Sequence, residues 1–239
     1  MLTTENAKTT KSVKLGFLTA ILYLAPHKQN SKGANLCPFA TAGCILACLF
    51  SAGRGAFDNV RSARIRRTEA FLRDRFAFLD ECAADINKML RKAVKLSQWL
   101  CVRLNGTSDI AWEKVKMRDG RTLLELFPLV QFYDYTKNPV RMTAFLNGEM
   151  PSNYHLTFSR SGDNDALCRA FLKSGGNVAA VIAVKRGQPL PKVLAGWEEF
   201  PVVGGDETDV RFQDGTGVIV ALRAKGKAIG SADPFILAA

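Results

Sequence analysis

The feature that most constrains this chain is a series of continuously apolar segments, rich in β-branched and aromatic residues, that alternate with helical ones. Trp99–Leu104 reads as a strand and Thr122–Phe127 as a short helix, followed by strand Leu129–Tyr133 and helix Val140–Leu146. Strand Tyr154–Phe158, helix Asn164–Lys173 and strand Asn177–Val184 continue the rhythm. Strands apolar on both faces belong to a covered sheet, and strands separated by helices pair in parallel. Upstream, Val13–Leu24 reads as a buried strand ended by Pro26, and Asp58–Leu79 and Asp80–Ser97 as two helices or one kinked helix. Pro201–Val203 and Gly217–Leu222 close the pattern as short strands. The expected fold is α/β, a partial or distorted (β/α) barrel of about six mostly parallel strands. An open doubly wound sheet is the alternative. A single domain is expected over residues 13–239, after a flexible segment at 1–12 that is polar and unpatterned from Thr3 to Lys11.

With 47% hydrophobic and 23% charged residues, the chain has the composition of a protein with a real core, which excludes extensive disorder. The longest apolar stretch, Leu15–Pro26, is too short to span a bilayer, and no secretory pattern opens the chain. A cytoplasmic protein without a membrane partner is expected. The net charge of +11 favours polyanions, either nucleic acid or phosphate-bearing small molecules. Seven arginines crowd between Arg54 and Arg75, and of these Arg54, Arg61, Arg64 and Arg67 are the candidate phosphate contacts. A solvated helix face laced with ion pairs accounts for any one of them equally well. Trp112, Tyr133 and Tyr135 offer stacking surfaces for bases, or serve as core.

In parallel β/α folds reactive groups gather where strands run into the following loops. Those positions are polar here. Asn105, Ser108 and Asp109 follow one strand; Asp134, Tyr135, Thr136 and Lys137 end the next; Ser159, Arg160, Ser161 and Asn164 follow a third. Asp206 and Asp209 come after Val203. Asp109, Asp134 and Lys137 are the candidate catalytic groups, with Asp134 and Lys137 preferred as a pair that perturb one another's pKa. Asn105, Ser108, Tyr135, Thr136, Ser159, Arg160, Ser161, Asn164 and Asp206 are candidate substrate contacts. For Asp163 and Asn164, directly before a helix, capping is the stronger reading.

The long stretch 27–55 is rich in Gly, Ser, Asn and Cys, and so long a loop in a compact domain needs a reason. It carries Cys37, Cys44 and Cys48 within twelve residues. Thiolates are soft ligands that select iron–sulfur clusters or zinc, and three protein ligands leave one position open. A 4Fe–4S cluster is preferred over zinc, with His27, Cys101, water or substrate as a fourth ligand. The alternative is that the three pack as small apolar residues, Cys44 and Cys48 sharing a helical face. Cys82, Cys101 and Cys168 stand alone in apolar segments and read as core.

Two resemblances arise from these residues. The pattern Cys37-Pro-Phe-Ala-x3-Cys44-x3-Cys48, followed by Gly53-Arg54 and an arginine-bearing helix, resembles the phage gene product 88 family. Asn105–Asp109, Phe132–Lys137 and Asn153–Arg160 look like further blocks of that group, so the similarity covers about residues 15 to 228. It implies a phage or prophage source. The second resemblance is architectural: radical S-adenosylmethionine enzymes also place three cluster cysteines in the loop after the first strand of a partial β/α barrel. It implies a cluster. The Cys-x3-Cys-x2-Cys spacing of those enzymes and their Gly-Gly-Glu type sequence are absent, so S-adenosylmethionine is the weaker implication.

The leading expectation is a phage-type metal- or iron–sulfur-dependent enzyme acting on nucleic acid or a nucleotide. One alternative is a base-exchange transglycosylase of the 7-deazaguanine type, with Asp109, Asp134 or Asp206 as nucleophile. The other is a non-catalytic nucleic-acid-binding protein with a structural metal.

Overall fold

The structure is a computed structural model and describes residues 1–4, 7–50, 52–185 and 187–238. The strands are β1 (Phe17–Ile21), β2 (Trp99–Arg103), β3 (Gln131–Thr136), β4 (Tyr154–Ser159), β5 (Val178–Ile182), β6 (Val202–Gly204), β7 (Ile219–Arg223) and β8 (Ile236–Leu237). They form one curled sheet, a half-barrel, in the order β1-β2-β3-β4-β5-β7-β6, and every ladder between these strands is parallel. The architecture is thus the partial barrel read from the apolar runs; the short strand expected at Pro201–Val203 is β6, and β8 is one more than periodicity can reveal. Thr3 forms an antiparallel bridge with Ile21, and Ala7–Ser12 is helix α1, so part of the segment set aside as flexible has a place in the fold.

The helices are α2 (Ala42–Leu46), α3 (Asp58–Arg73), α4 (Arg75–Lys95), α5 (Leu123–Leu126), α6 (Pro139–Leu146) and α7 (Asp165–Lys173). The boundary between α3 and α4 falls at Asp74, not at Leu79. Its carboxylate accepts from the N–H groups of Phe76 and Ala77 at 3.0 Å each, so it caps α4 and breaks the run. α5 begins with a capping box, Thr122 and Glu125 each bonding the other's backbone.

Side-chain parity divides the sheet. Leu18, Ala20, Leu100, Val102, Phe132, Leu156, Phe158, Val178 and Ile182 join the main core with Leu79, Cys82, Ile86, Cys168 and Phe171 of the helices. The opposite, concave face holds two smaller clusters: Cys101, Tyr133 and Val210 with Phe17 and Phe212, and Ala179, Val218 and Val220 with Tyr135 and Leu222. Residues 205–218 therefore fill part of the hollow that a complete barrel would enclose. Cys82, Cys101 and Cys168 are fully buried, as core cysteines should be.

The C-terminal tail straps the carboxyl edge. β4 pairs with β5 only at Phe158 and Ser159, and beyond that point β8 pairs with β5 at Val181 and Ile182. Arg160 fastens the tail by donating to the carbonyls of Pro234, at 2.7 Å, and Phe235, at 3.3 Å. Glycines permit the close approach. A Cβ at Gly43 would lie 2.2 Å from Asp233 Oδ1, and one at Gly162, where φ is +93°, would lie 2.6 Å from the Pro234 carbonyl carbon. Gly162→Ala should therefore cost about 1–3 kcal/mol in urea unfolding and expose the tail to proteolysis. Gly148→Ala, at φ +74° with open space around it, carries the backbone strain alone. Equal losses in the two variants would show that the strap is not held against Gly162.

Candidate functional site

At the carboxyl ends of the strands lies a cavity of about 580 Å³. Its walls come from the ends of β1, β2, β3, β4 and β7, from the cysteine loop and from the C-terminal strap. The loop is built by local bonds. Gly33 turns at φ +62°, Asn30 closes the turn onto Ala34 through both its amide atoms, and Asn35 accepts from the Cys37 N–H at 2.9 Å. Thr41 caps α2 by accepting from the Cys44 N–H at 3.3 Å. Cys37, Cys44 and Cys48 are each half-buried, and all three line the cavity.

The three thiols feel one another electrostatically. Burial pushes Cys37 up to about 12, with the charges of Cys48, Asp109 and Cys44 adding to the rise. Burial also raises Cys48, and Lys137 and Arg64 act against it. Cys37 and Cys48 are therefore held neutral in the protein alone, and a soft cation is the partner that would reverse this. Donor chemistry and placement on one wall fit such a group. As the side chains stand, no three His, Cys, Asp or Glu residues among the described ones are grouped closely enough to hold an ion. His27, offered as a fourth ligand, lines the same cavity and meets Asn35 Oδ1 at 3.3 Å, whereas Cys101 lies buried on the sheet against Thr19 Oγ1 at 3.2 Å.

The polar strand ends do converge on the cavity, with divided roles. Asp109, at its wall, accepts from Thr136 Oγ1, the Lys137 N–H and Arg141 Nη1, each at 2.8 Å, and so ties the loop after β2 to the end of β3. Lys137 Nζ has no carboxylate within ion-pair distance among the described residues and sits 5.8 Å from the centre of the Phe235 ring. Asn105 is a hub: its Oδ1 accepts from Ser108, Ile110 and Trp112 at 2.9 to 3.0 Å. Arg160 and Ser161 hold neighbouring segments, Arg160 the tail and Ser161 the Asn164 side chain through its N–H at 2.8 Å. Asn164 thus closes the loop before α7 without capping that helix. Asp206 lies behind the cavity, pairing with Lys225 at 2.7 Å and Arg223 at 3.5 Å.

Asp134 stands elsewhere. It is fully buried and faces the helices, where it accepts from the Asn105 N–H at 2.7 Å, Asn105 Nδ2 at 3.1 Å and Tyr154 Oη at 2.8 Å. It does not meet Lys137, so the structure does not bring the expected pair together. The arginines divide as well. Arg61 reaches the cavity and Arg54 is exposed. Arg64 is buried, its guanidinium 4.8 Å from the Tyr23 ring centre and bonded to the Leu49 carbonyl at 3.5 Å, so it supports the cysteine loop. Arg67 is half-buried and interacts with Asp85 and Cys82. Of the three proposed stacking residues only Tyr135 reaches the cavity; Trp112 and Tyr133 are core.

Residues that the sequence did not single out also line the cavity, notably Arg103, Lys227 and Phe235, together with the strand-end carboxylate Asp209. The signal for Arg103 was present, since an arginine ending an otherwise apolar strand requires a buried partner. That partner is Asp209, 2.9 Å away.

These features define an α/β half-barrel protein with a cysteine-lined cavity at the carboxyl edge of its sheet. The chain belongs to the Gene product 88 family, a phage-type family whose model matches residues 1–234. No curated protein and no solved structure matches it significantly. Among the described residues no helix is long and apolar enough to cross a membrane.

The position of Asp134 has a measurable consequence. Burial, partly offset by its hydrogen-bond donors and nearby arginines, raises its pKa from 3.8 to about 7. A carboxyl raised on folding adds stability that is full below its unfolded value and is lost as pH rises through the folded one. The unfolding free energy of the wild type should therefore fall relative to that of Asp134→Asn, which mimics the protonated group, between about pH 4 and 8. Parallel pH profiles from urea unfolding would contradict this placement.

Proposed function

We propose that this protein is a metal- or iron–sulfur-dependent enzyme acting on a nucleotide or nucleic acid, with Cys37, Cys44 and Cys48 holding the inorganic group. The supporting observation is that all three cysteines share one cavity with Asp109, Lys137 and Arg160. Soft thiolates favour a 4Fe–4S cluster, with zinc as the other candidate. When bound through three cysteines, the group supplies an open coordination position at the cavity wall.

The chain's own residues do the rest. The cavity is large enough for a nucleotide-sized ligand. Of the cations in its lining, Arg103, Arg160, Arg223 and Lys225 are paired with Asp209, Asp165 and Asp206, while Lys137 and Lys227 have no carboxylate within ion-pair distance among the described residues and attract an anion. Lys137 is positioned to neutralise that anion, because the Asp109 bond to its N–H fixes the start of its side chain. Base exchange by a carboxylate nucleophile is less well supported. Asp109 and Asp206 are engaged with cations, and Asp134 faces away from the cavity.

Anaerobically purified protein should contain stoichiometric iron with a visible cluster spectrum, or stoichiometric zinc. Cys37→Ser, Cys44→Ser and Cys48→Ser should each abolish the metal, while Cys82→Ser, buried in the core, should retain it. Metal retained in all three loop variants would remove the site.

A further inference from the structure

We propose that Arg103 and Tyr135, on the concave floor of the cavity, form an oxyanion clamp that takes the phosphoryl group of the substrate. This deepens the reading above by naming the group recognised; it shares the cavity but does not depend on the metal.

Arg103 ends β2 and carries its charge into the hollow of the half-barrel. Asp209 Oδ2 accepts from Nη1 at 2.9 Å, and the Tyr133 hydroxyl donates to the same oxygen at 3.4 Å. On the other side the guanidinium lies 4.5 Å from the centre of the Tyr135 ring. Ion pair and stack together fix the plane of the guanidinium. They leave one edge over: Nε is buried without a hydrogen-bond partner, and Nη2 makes no hydrogen bond among the described residues. The Nε–Nη2 edge of arginine presents two parallel N–H groups, the geometry that carboxylates and phosphates accept bidentately.

The Tyr135 hydroxyl is the second observation. It too is buried without a partner, and Tyr135 lines the same cavity. Buried donors left unmade are costly and rare, so two in one stacked pair call for an acceptor that enters from the cavity. The surroundings select its charge. Asp209 offsets Arg103, but Lys137 and Lys227 also line the cavity and have no carboxylate within ion-pair distance among the described residues. A dianionic phosphoryl group answers that surplus better than a single carboxylate does.

The test is calorimetric titration of the full chain with inorganic phosphate and inorganic pyrophosphate, with chloride holding ionic strength constant so that screening is the same throughout. Both should bind the wild type, and succinate should not. Tyr135→Phe removes only a hydroxyl that has no partner, so the thermal stability of the ligand-free protein should hold while affinity for phosphate falls about tenfold. Arg103→Lys keeps the charge and loses the fork, and its affinity should fall at least as far. Should that variant unfold because Asp209 is left unpaired, Tyr135→Phe carries the test alone. Unchanged affinity in Tyr135→Phe, succinate binding as well as phosphate, or no phosphate binding in metal-replete wild type would each overturn the clamp. Phosphate binding that persists in metal-free Cys44→Ser would sustain it and would show that the clamp stands apart from the cysteine site.

Discussion

Arg141 is 2% exposed, and a charge that water cannot reach must be met by the protein. It is met on every side. Glu113 takes Nε and Nη2 at 2.9 Å each, Asp109 takes Nη1 at 2.8 Å, and Tyr154 Oη accepts from Nη2 at 2.7 Å. Tyr154 in turn donates its hydroxyl hydrogen bond to Asp134, which holds Asn105, which holds Ser108 and Trp112. One buried cation on α6 thereby stitches β3 and the start of β4 to the loop after β2. Removing one partner from such a network costs about 3–5 kcal/mol, because the other charge is left buried and unpaired. The cavity depends on it, since Asp109 sets both the wall and the start of the Lys137 side chain.

This network explains which polar strand-end residues are structural and which face the cavity. Asp134 and Lys137 were an attractive pair in the sequence because they are close in number. They are three apart at the end of a strand, and side chains of a strand alternate faces with a period of two. Asp134 therefore goes to the helix side, and Tyr133 and Tyr135 go to the concave side with Arg103 and Cys101. That much was legible from parity. The half-barrel was legible too, because largely apolar strand segments alternate with helical ones along most of the chain. The tail was not: β8 is two residues long, and what holds it is Arg160 and two close glycine contacts, none of which leaves a periodic trace. Nor could composition reveal that Arg64, in the middle of the arginine-rich helix, turns inward onto Tyr23 and Phe50.

The cysteine loop and the tail belong together. Gly43, one residue before Cys44, is pressed against Asp233 and Phe235, and a Cβ at Gly226 would lie 2.9 Å from Ala52 at the other end of the loop. The loop that carries the thiols is thus held between the sheet edge and the strap. Phe235 contributes both to that grip and, through its ring, to the setting of Lys137. A long loop in a compact domain is usually kept for function, and here its three thiols and the cationic strand ends meet in one cavity.

The claim that unites these features is that three loop cysteines ligate one metal centre beside an anion-binding cavity. X-ray absorption at the metal edge of anaerobically purified protein tests it most directly. The account predicts stoichiometric iron or zinc with a first shell dominated by sulfur at about 2.3 Å. A first shell of oxygen and nitrogen alone, or a protein that carries no stoichiometric metal, would contradict it.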